Sequence, residues 1–228
     1  MAQLVPITTT RLGEHLSLLD LLPDSQPLAW VRSGEGLVGW GTYATTTVSG
    51  PHRFADARHW WQKQLEKFTV NNTVHGSGTG PVLFASFSFS PDDVSVLVIP
   101  QVVVGTKSGK SWITWIGSDS QPELKTEPEH FSNGSMTWNE EPQADLLWKE
   151  RVATAVARIQ NGDLDKVVLA RDITVSSNKA IDPRAILNKL ALEYPTTWKF
   201  AVSGLVGATP ELLLRLSRGM VTSRVLAG

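Results

Sequence analysis

The sequence predicts an α/β (α+β) chain, antiparallel-rich and flanked by helices, on three observations. Segments rich in Val, Thr, Trp and Tyr recur through the first half with Gly-containing turn residues between them, which is strand and hairpin chemistry. Two stretches, 54–68 and 144–160, carry apolar residues at intervals of three and four, the repeat of a helix that buries one face. The second half reads strand, helix, strand. With 41% hydrophobic residues and 18 Gly in 228 residues, the chain has ordinary globular composition and the length for a sizeable core.

In chain order, leucines at 16, 18, 19, 21 and 22 predict a short helix over 14–22 that Pro23 stops. Residues 27–32 and 37–48 read as strands, with Ser33-Gly34-Glu35-Gly36 as the turn between them. The helix over 54–68 has Phe54, Ala57, Trp61, Leu65 and Phe68 as its apolar stripe, which seeks a sheet. A polar, Gly-rich loop over 71–80 precedes a strand over 81–90 buried largely on one face. Strands over 94–104 and 111–117 flank the polar turn Lys107-Ser108-Gly109-Lys110. After a polar stretch over 118–142, the helix over 144–160 places Trp148, Val152, Val156 and Ile159 at helical spacing, and Gly162 supplies a left-handed cap. A strand over 166–176 follows, then a helix over 182–194 with Asp182 as N-cap and Pro183 at its first position, then a strand over 198–206. Residues 212–216 and 220–226 form a last hairpin around Ser217-Arg218-Gly219. By organisation the chain divides into a β-rich part over 1–120, a polar linker over 121–143 and a third region over 144–228.

Composition excludes several functions. A net charge of -1 leaves no basic footprint for nucleic acid. The absence of cysteine removes disulfides, thiolate nucleophiles, Cys-ligated zinc and iron–sulfur clusters, and fits a cytoplasmic location. No signal peptide is read at the start, and the most apolar stretch, 94–105, is too short to span a membrane. Gly34-Glu35-Gly36-Leu37-Val38-Gly39 fits a dinucleotide fingerprint, but strand residues follow it where a helix is required. Gly105-Thr106-Lys107-Ser108-Gly109-Lys110-Ser111 resembles a phosphate-cradling loop, yet it is one residue short and is also followed by a strand. The five histidines never fall at metal-ligand spacing.

Two motifs carry chemistry. Asp163-Leu164-Asp165-Lys166-Val167-Val168-Leu169-Ala170-Arg171 sets a lysine at the mouth of the expected strand, where alternation sends Lys166, Val168 and Ala170 to one face and Val167, Leu169 and Arg171 to the other. Partial burial of Lys166 would disfavour its ammonium, the tuning of a general base near neutral pH. The structural alternative is a lysine that snorkels at a strand end. Gly207-Ala208-Thr209-Pro210-Glu211 places a carboxylate between two apolar runs, where burial would keep it protonated as a general acid requires. An exposed Glu in a β-turn is the alternative.

Gly162 to Arg171, Phe200 with Gly207-Ala208-Thr209-Pro210-Glu211-Leu212-Leu213-Leu214, and Leu226-Ala227-Gly228 occur in that order. On these residues the chain resembles the chorismate-utilising enzymes, and within them the isochorismate synthases of the menaquinone and siderophore pathways. The resemblance implies a two-sheet, helix-flanked domain of the anthranilate-synthase-like type. It implies Lys166 as the general base that activates water to attack C2 of chorismate, and Glu211 as the general acid that protonates the departing C4 hydroxyl. Mg²⁺ is implied as the cofactor holding the substrate carboxylate, and Ala227 and Gly228 as backbone contacts to substrate. Ammonia-using relatives carry Gln where this chain has Lys166, so the resemblance implies water as nucleophile. Salicylate synthases share both motifs, add pyruvate elimination, and are the neighbouring alternative.

Relatives continue past the Leu-Ala-Gly element into a second half that holds the glutamates binding Mg²⁺ and the groups that clamp the substrate carboxylates. The expectation is therefore an N-terminal portion with no metal ligand of its own, little or no turnover, open sheet edges and exposed apolar faces. A catalytically incomplete fragment or binding chain that docks on a partner is the rival from another class, and a nucleotide-binding module is the third. Chorismate is the expected small-molecule partner; the sequence leaves the oligomeric state open.

Overall fold

Short turns set most of the strand pairing. Ser33-Gly34, Ser108-Gly109, Ser203-Gly204 and Arg218-Gly219 each hold both residues at positive φ, the first at 50° or 51° and the glycine between 73° and 87°. These are the angles of the type I′ turn, whose twist matches that of two antiparallel strands. The structure is a computed structural model that describes residues 3–13, 16–118, 120–126, 134–139 and 143–224. Its elements are β1 (Val5–Leu12), a 3₁₀ turn (Leu19–Leu21), β2 (Leu28–Arg32), β3 (Glu35–Trp40), β4 (Ala44–Val48), α1 (Arg53–Leu65), β5 (Phe68–Asn72), β6 (Phe84–Ser86), β7 (Ser95–Ile99), β8 (Val102–Lys107) and β9 (Lys110–Ile116). They continue with β10 (Met136–Asn139), α2 (Ala144–Gln160), β11 (Thr174–Ser177), α3 (Pro183–Glu193), β12 (Trp198–Val202), β13 (Leu205–Thr209), β14 (Leu212–Ser217) and β15 (Met220–Arg224).

Two compact units result, one of Met1–Phe131 with Asp182–Gly228, the other of Ser132–Ile181. The first holds an eight-stranded sheet in the order β13-β12-β2-β3-β8-β9-β1-β5. Its pairs are antiparallel except β1 with β5. Strand alternation sends Ala29, Val31, Val38, Val104, Ile113 and Ala201 to one face, where Leu187 of α3 and Leu18, Leu21 and Leu22 around the 3₁₀ turn cover them. On the opposite face Leu28, Val103 and Val202 meet Phe84 and Val98 of a three-stranded sheet, β4-β7-β6. Farther along, Ile7, Phe68 and Ile116 pack with Trp60 and Trp61 of α1. The expected antiparallel-rich, two-sheet architecture flanked by helices is thus present. The second unit contains α2 and the antiparallel pair β10–β11. Among the described residues no helix is long and apolar enough to cross a membrane.

Several expected elements differ for identifiable reasons. The run 94–104 is two strands in two sheets, because Pro100 has no N–H to donate and the Gln101 N–H turns to the Trp40 carbonyl at 3.1 Å. Of the helix expected over 14–22, residues 14 and 15 lie outside the described residues and within 16–22 only Leu19–Leu21 is helical, as a 3₁₀ turn; Leu18, Leu21 and Leu22 are all buried, which a single tight turn permits. The first long helix ends at Leu65, and Phe68 opens β5, drawn into parallel pairing with β1. Its buried residues are Ala57 and Gln64, while Phe54 is 56% exposed and leans on Phe87 instead. Residues 81–90 supply only the short β6, and Phe89 is fully exposed. The expected strand 198–206 is the hairpin β12–β13, turned at Ser203-Gly204. Within the polar stretch, Met136–Asn139 forms β10.

Candidate functional site

The two glycine-rich motifs are hairpins. A Cβ at Gly36 would collide with the Trp30 backbone, and one at Gly105 with the Trp112 ring, so both glycines serve close packing within the sheet. The two turns are joined, since the Ser108 N–H donates to Glu35 Oε1 at 2.6 Å. Neither opens a helix that could receive a phosphate.

Lys166 belongs to the second unit. The segment that carries it leaves α2 through a Schellman cap: Gly162 lies at φ 80°, its N–H donates to the Ile159 carbonyl, and the Asp163 N–H donates to the Arg158 carbonyl at 2.9 Å. Leu164, Val167 and Leu169 then lie along α2 and share with its Leu147 and Ala155 a groove of about 440 Å³. At the far end Arg171 donates from Nη1 to Asp145 Oδ1 at 2.9 Å and sits 5.7 Å from the Trp148 ring centroid. Lys166 is exposed, as is Val168 at 80%, against 39% for Val167 and 37% for Leu169. The predicted alternation therefore holds, but two expectations do not. Residues 166–173 pair with no strand among the described residues, so the strand is confined to Thr174–Ser177. The partial burial expected of Lys166 is also absent. Both have one physical cause: burial on the lysine side requires a neighbouring strand or layer, and α2 covers only the other side.

Glu211 belongs to the first unit. β12 and β13 pair with Phe200 opposite Gly207 and Trp198 opposite Thr209. The Phe200 ring lies across β13 at Gly207, where an added Cβ would stand 2.7 Å from Phe200 Cζ. Glycine in this motif is thus a packing requirement. Beyond Thr209 the chain turns through Pro210, and the Glu211 N–H donates to Thr209 Oγ1 at 3.1 Å. Glu211 is half-buried. The hairpin β14–β15 that follows exposes Leu213 at 83% and Met220 at 71%.

Beside this turn the sheet carries a group that sequence reasoning missed. Trp30 stacks on Trp198 at 5.1 Å, Phe200 lies 6.3 Å from Trp30, and the Arg32 guanidinium stands 5.6 Å from the Trp198 ring. Alternation within β2 and β12 could have paired these residues by face, but their register, with Phe200 opposite Trp30, is not readable from either segment alone. Lys199, on the opposite face, was also missed. It is 2% exposed, and its ammonium donates to the carbonyls of Tyr194, Pro195 and Thr197 at 2.8, 3.0 and 3.0 Å. Burial, with the nearby Arg32 charge second, holds it below the usual lysine value.

Lys166 and Glu211 fall in different units. Ala227 and Gly228 lie outside the described residues. Among the described residues no group of three or more His, Asp or Glu side chains comes together as metal ligands.

The family model described as chorismate binding enzyme matches residues 24–228. The isochorismate synthase MenF of Bacillus subtilis (strain 168) is 26% identical over 84% of this chain and 48% of its own length. The isochorismate synthase EntC of Escherichia coli (strain K12) is 31% identical over 65% of this chain and 37% of its own. Among solved structures, the menaquinone-specific isochorismate synthase MenF of Escherichia coli has a similar fold, with a TM-score of 0.59 at 17% identity over 92% of this chain and 51% of that one. The chain spans about half the length, or less, of the curated relatives it matches.

Proposed function

The chain belongs to the chorismate-binding enzyme family, and on that premise we propose that it carries the acid–base pair of an isochorismate synthase. Lys166 accepts a proton from a water whose oxygen bonds to C2 of chorismate. The ring double bonds shift, the C4–O bond breaks, and Glu211 gives its proton to the departing hydroxyl. One water enters and one leaves, so the product is an isomer and the pair returns its protons through solvent. The single observation that supports this reading is the family match over residues 24–228, which spans both the Lys166 and the Glu211 motifs; the Schellman cap and the Arg171–Asp145 contact fasten the Lys166 segment to α2 at both ends. A cytoplasmic menaquinone or siderophore pathway is the setting this reading suggests. Mg²⁺, where bound, would neutralise charge at the substrate carboxylate without taking part in proton transfer.

A second reading is a catalytically incomplete chain, which the exposed apolar hairpin β14–β15 favours. The two separate in one experiment. The purified chain is incubated with chorismate and Mg²⁺ beside Lys166→Ala and Glu211→Gln, and the products are resolved by chromatography. Isochorismate from the parent, lowered at least about a hundredfold in each variant, would support the acid–base assignment. Salicylate with pyruvate would point to the salicylate synthases. Undiminished product in both variants would overturn the assignment, and chorismate binding without turnover would support the incomplete chain.

A further inference from the structure

Between Thr209, the last residue of β13, and Leu212, the first of β14, the chain changes direction. Pro210 has no N–H to contribute, and it restricts Thr209 to extended backbone. The Glu211 N–H finds its acceptor in a side chain two residues back, Thr209 Oγ1 at 3.1 Å. A hydroxyl used this way stands in for a backbone carbonyl and locks a turn. Thr209 is itself anchored: its backbone pairs with Trp198 across β12, and Trp198 is stacked on Trp30 at 5.1 Å. The Thr209 hydroxyl therefore ties the chain on which the Glu211 carboxyl is mounted to the sheet.

We propose that Thr209 is the positioning residue for Glu211, its hydroxyl holding the turn that presents the carboxyl to substrate. This rests on the reading of Glu211 as the general acid. A general acid works only within hydrogen-bond reach of the oxygen it protonates, and a displacement of about 1 Å can cost about a hundredfold in rate. Thr209 touches no reacting atom in this scheme and acts through Glu211 alone.

Two substitutions isolate the hydroxyl. Thr209→Val keeps the branched shape and removes the acceptor; Thr209→Ser keeps the acceptor and removes a methyl. In the whole chain, with Glu211→Gln as control, three readouts are taken: thermal unfolding, hydrogen exchange of the Glu211 amide by NMR, and kcat and KM for chorismate. In Thr209→Val the amide exchanges about tenfold faster. Its kcat falls about ten- to a hundredfold while KM stays within about twofold, and the serine variant restores both. A valine variant that exchanges and turns over like the parent overturns the proposal, and so does a folded serine variant as impaired as valine. Full turnover in Glu211→Gln defeats the acid assignment instead, whatever Thr209 does. Where the parent forms no isochorismate, amide exchange decides: acceleration by valine that serine reverses supports the proposal, and unchanged exchange overturns it.

Discussion

At Gly207 a strand passes beneath the Phe200 ring with no room for a methyl group, since a Cβ would stand 2.7 Å from Phe200 Cζ. Gly207→Ala is expected to push that ring off β13 and destabilise the first unit by about 1–3 kcal/mol, read from urea unfolding; an unchanged midpoint would mean that the ring moves freely. Lys199 makes a different kind of residue-scale argument, because it buries a charge, an ammonium that donates to three carbonyls. Its folded value lies below the ordinary 10.5, so in the window between the two the unfolded chain binds the extra proton, and stability rises with pH there. Lys199→Met should lose that alkaline rise. At neutral pH it should also cost about 2 kcal/mol, because three carbonyls lose their donor. Urea titrations of both proteins from neutral to alkaline pH check both parts.

Elements are held by their ends as much as by their faces. α3 begins at Asp182, which accepts the Arg184 N–H at 2.9 Å and the Arg184 guanidinium at 2.8 and 3.1 Å, with Pro183 at the first helical position. Burial alone would raise the Asp182 carboxyl, but hydrogen bonds and charge from Arg184 more than offset that and hold it below its ordinary value of 3.8. This stabilisation is complete above the ordinary value and disappears as pH falls through the lower folded one. Asp182→Ala should therefore cost about 2–4 kcal/mol near neutral pH and much less in acid, whereas Asp182→Asn, which keeps a cap acceptor, should lose less. A loss for Asp182→Ala that does not change with pH, with Asp182→Asn as stable as the parent, would show that the ion pair contributes nothing. The cap and the proline were legible in the sequence, as were the α2 span and Gly162, because each signal sits within a few residues of what it controls. The strand expected over 166–176 was not, since a strand needs a partner that local sequence does not name.

Over the whole molecule, apolar surface remains uncovered. In the first unit Leu213, Leu214, Leu216, Met220 and Val221 of β14–β15 are 62–83% exposed, a density of bare apolar side chains that water does not favour. In the second, α2 buries none of its residues. We expect the chain to bind a hydrophobic dye and to associate with rising concentration in sedimentation velocity. Leu213→Ser with Leu214→Ser should weaken both without lowering the thermal midpoint by more than about 1 kcal/mol equivalent. Parent-level dye binding and association in the double variant would place the adhesive surface elsewhere.

The sequence by itself determined the α+β class, the turns at 33–34, 108–109 and 218–219, the N-cap at Asp182, the Schellman glycine at 162, and the two motifs bearing Lys166 and Glu211. All are local, written in the φ preferences of glycine and proline, in hydrogen bonds spanning a few residues, and in the order of a motif. Tertiary structure alone decided that residues 94–104 serve two sheets, that Trp30, Trp198 and Phe200 form one aromatic cluster beside the Glu211 turn, that Lys199 is buried, and that Lys166 stands on an uncovered side. Those outcomes depend on strand register and on which layer covers which face, and these are set by contacts between segments more than a hundred residues apart, such as β2 with β12.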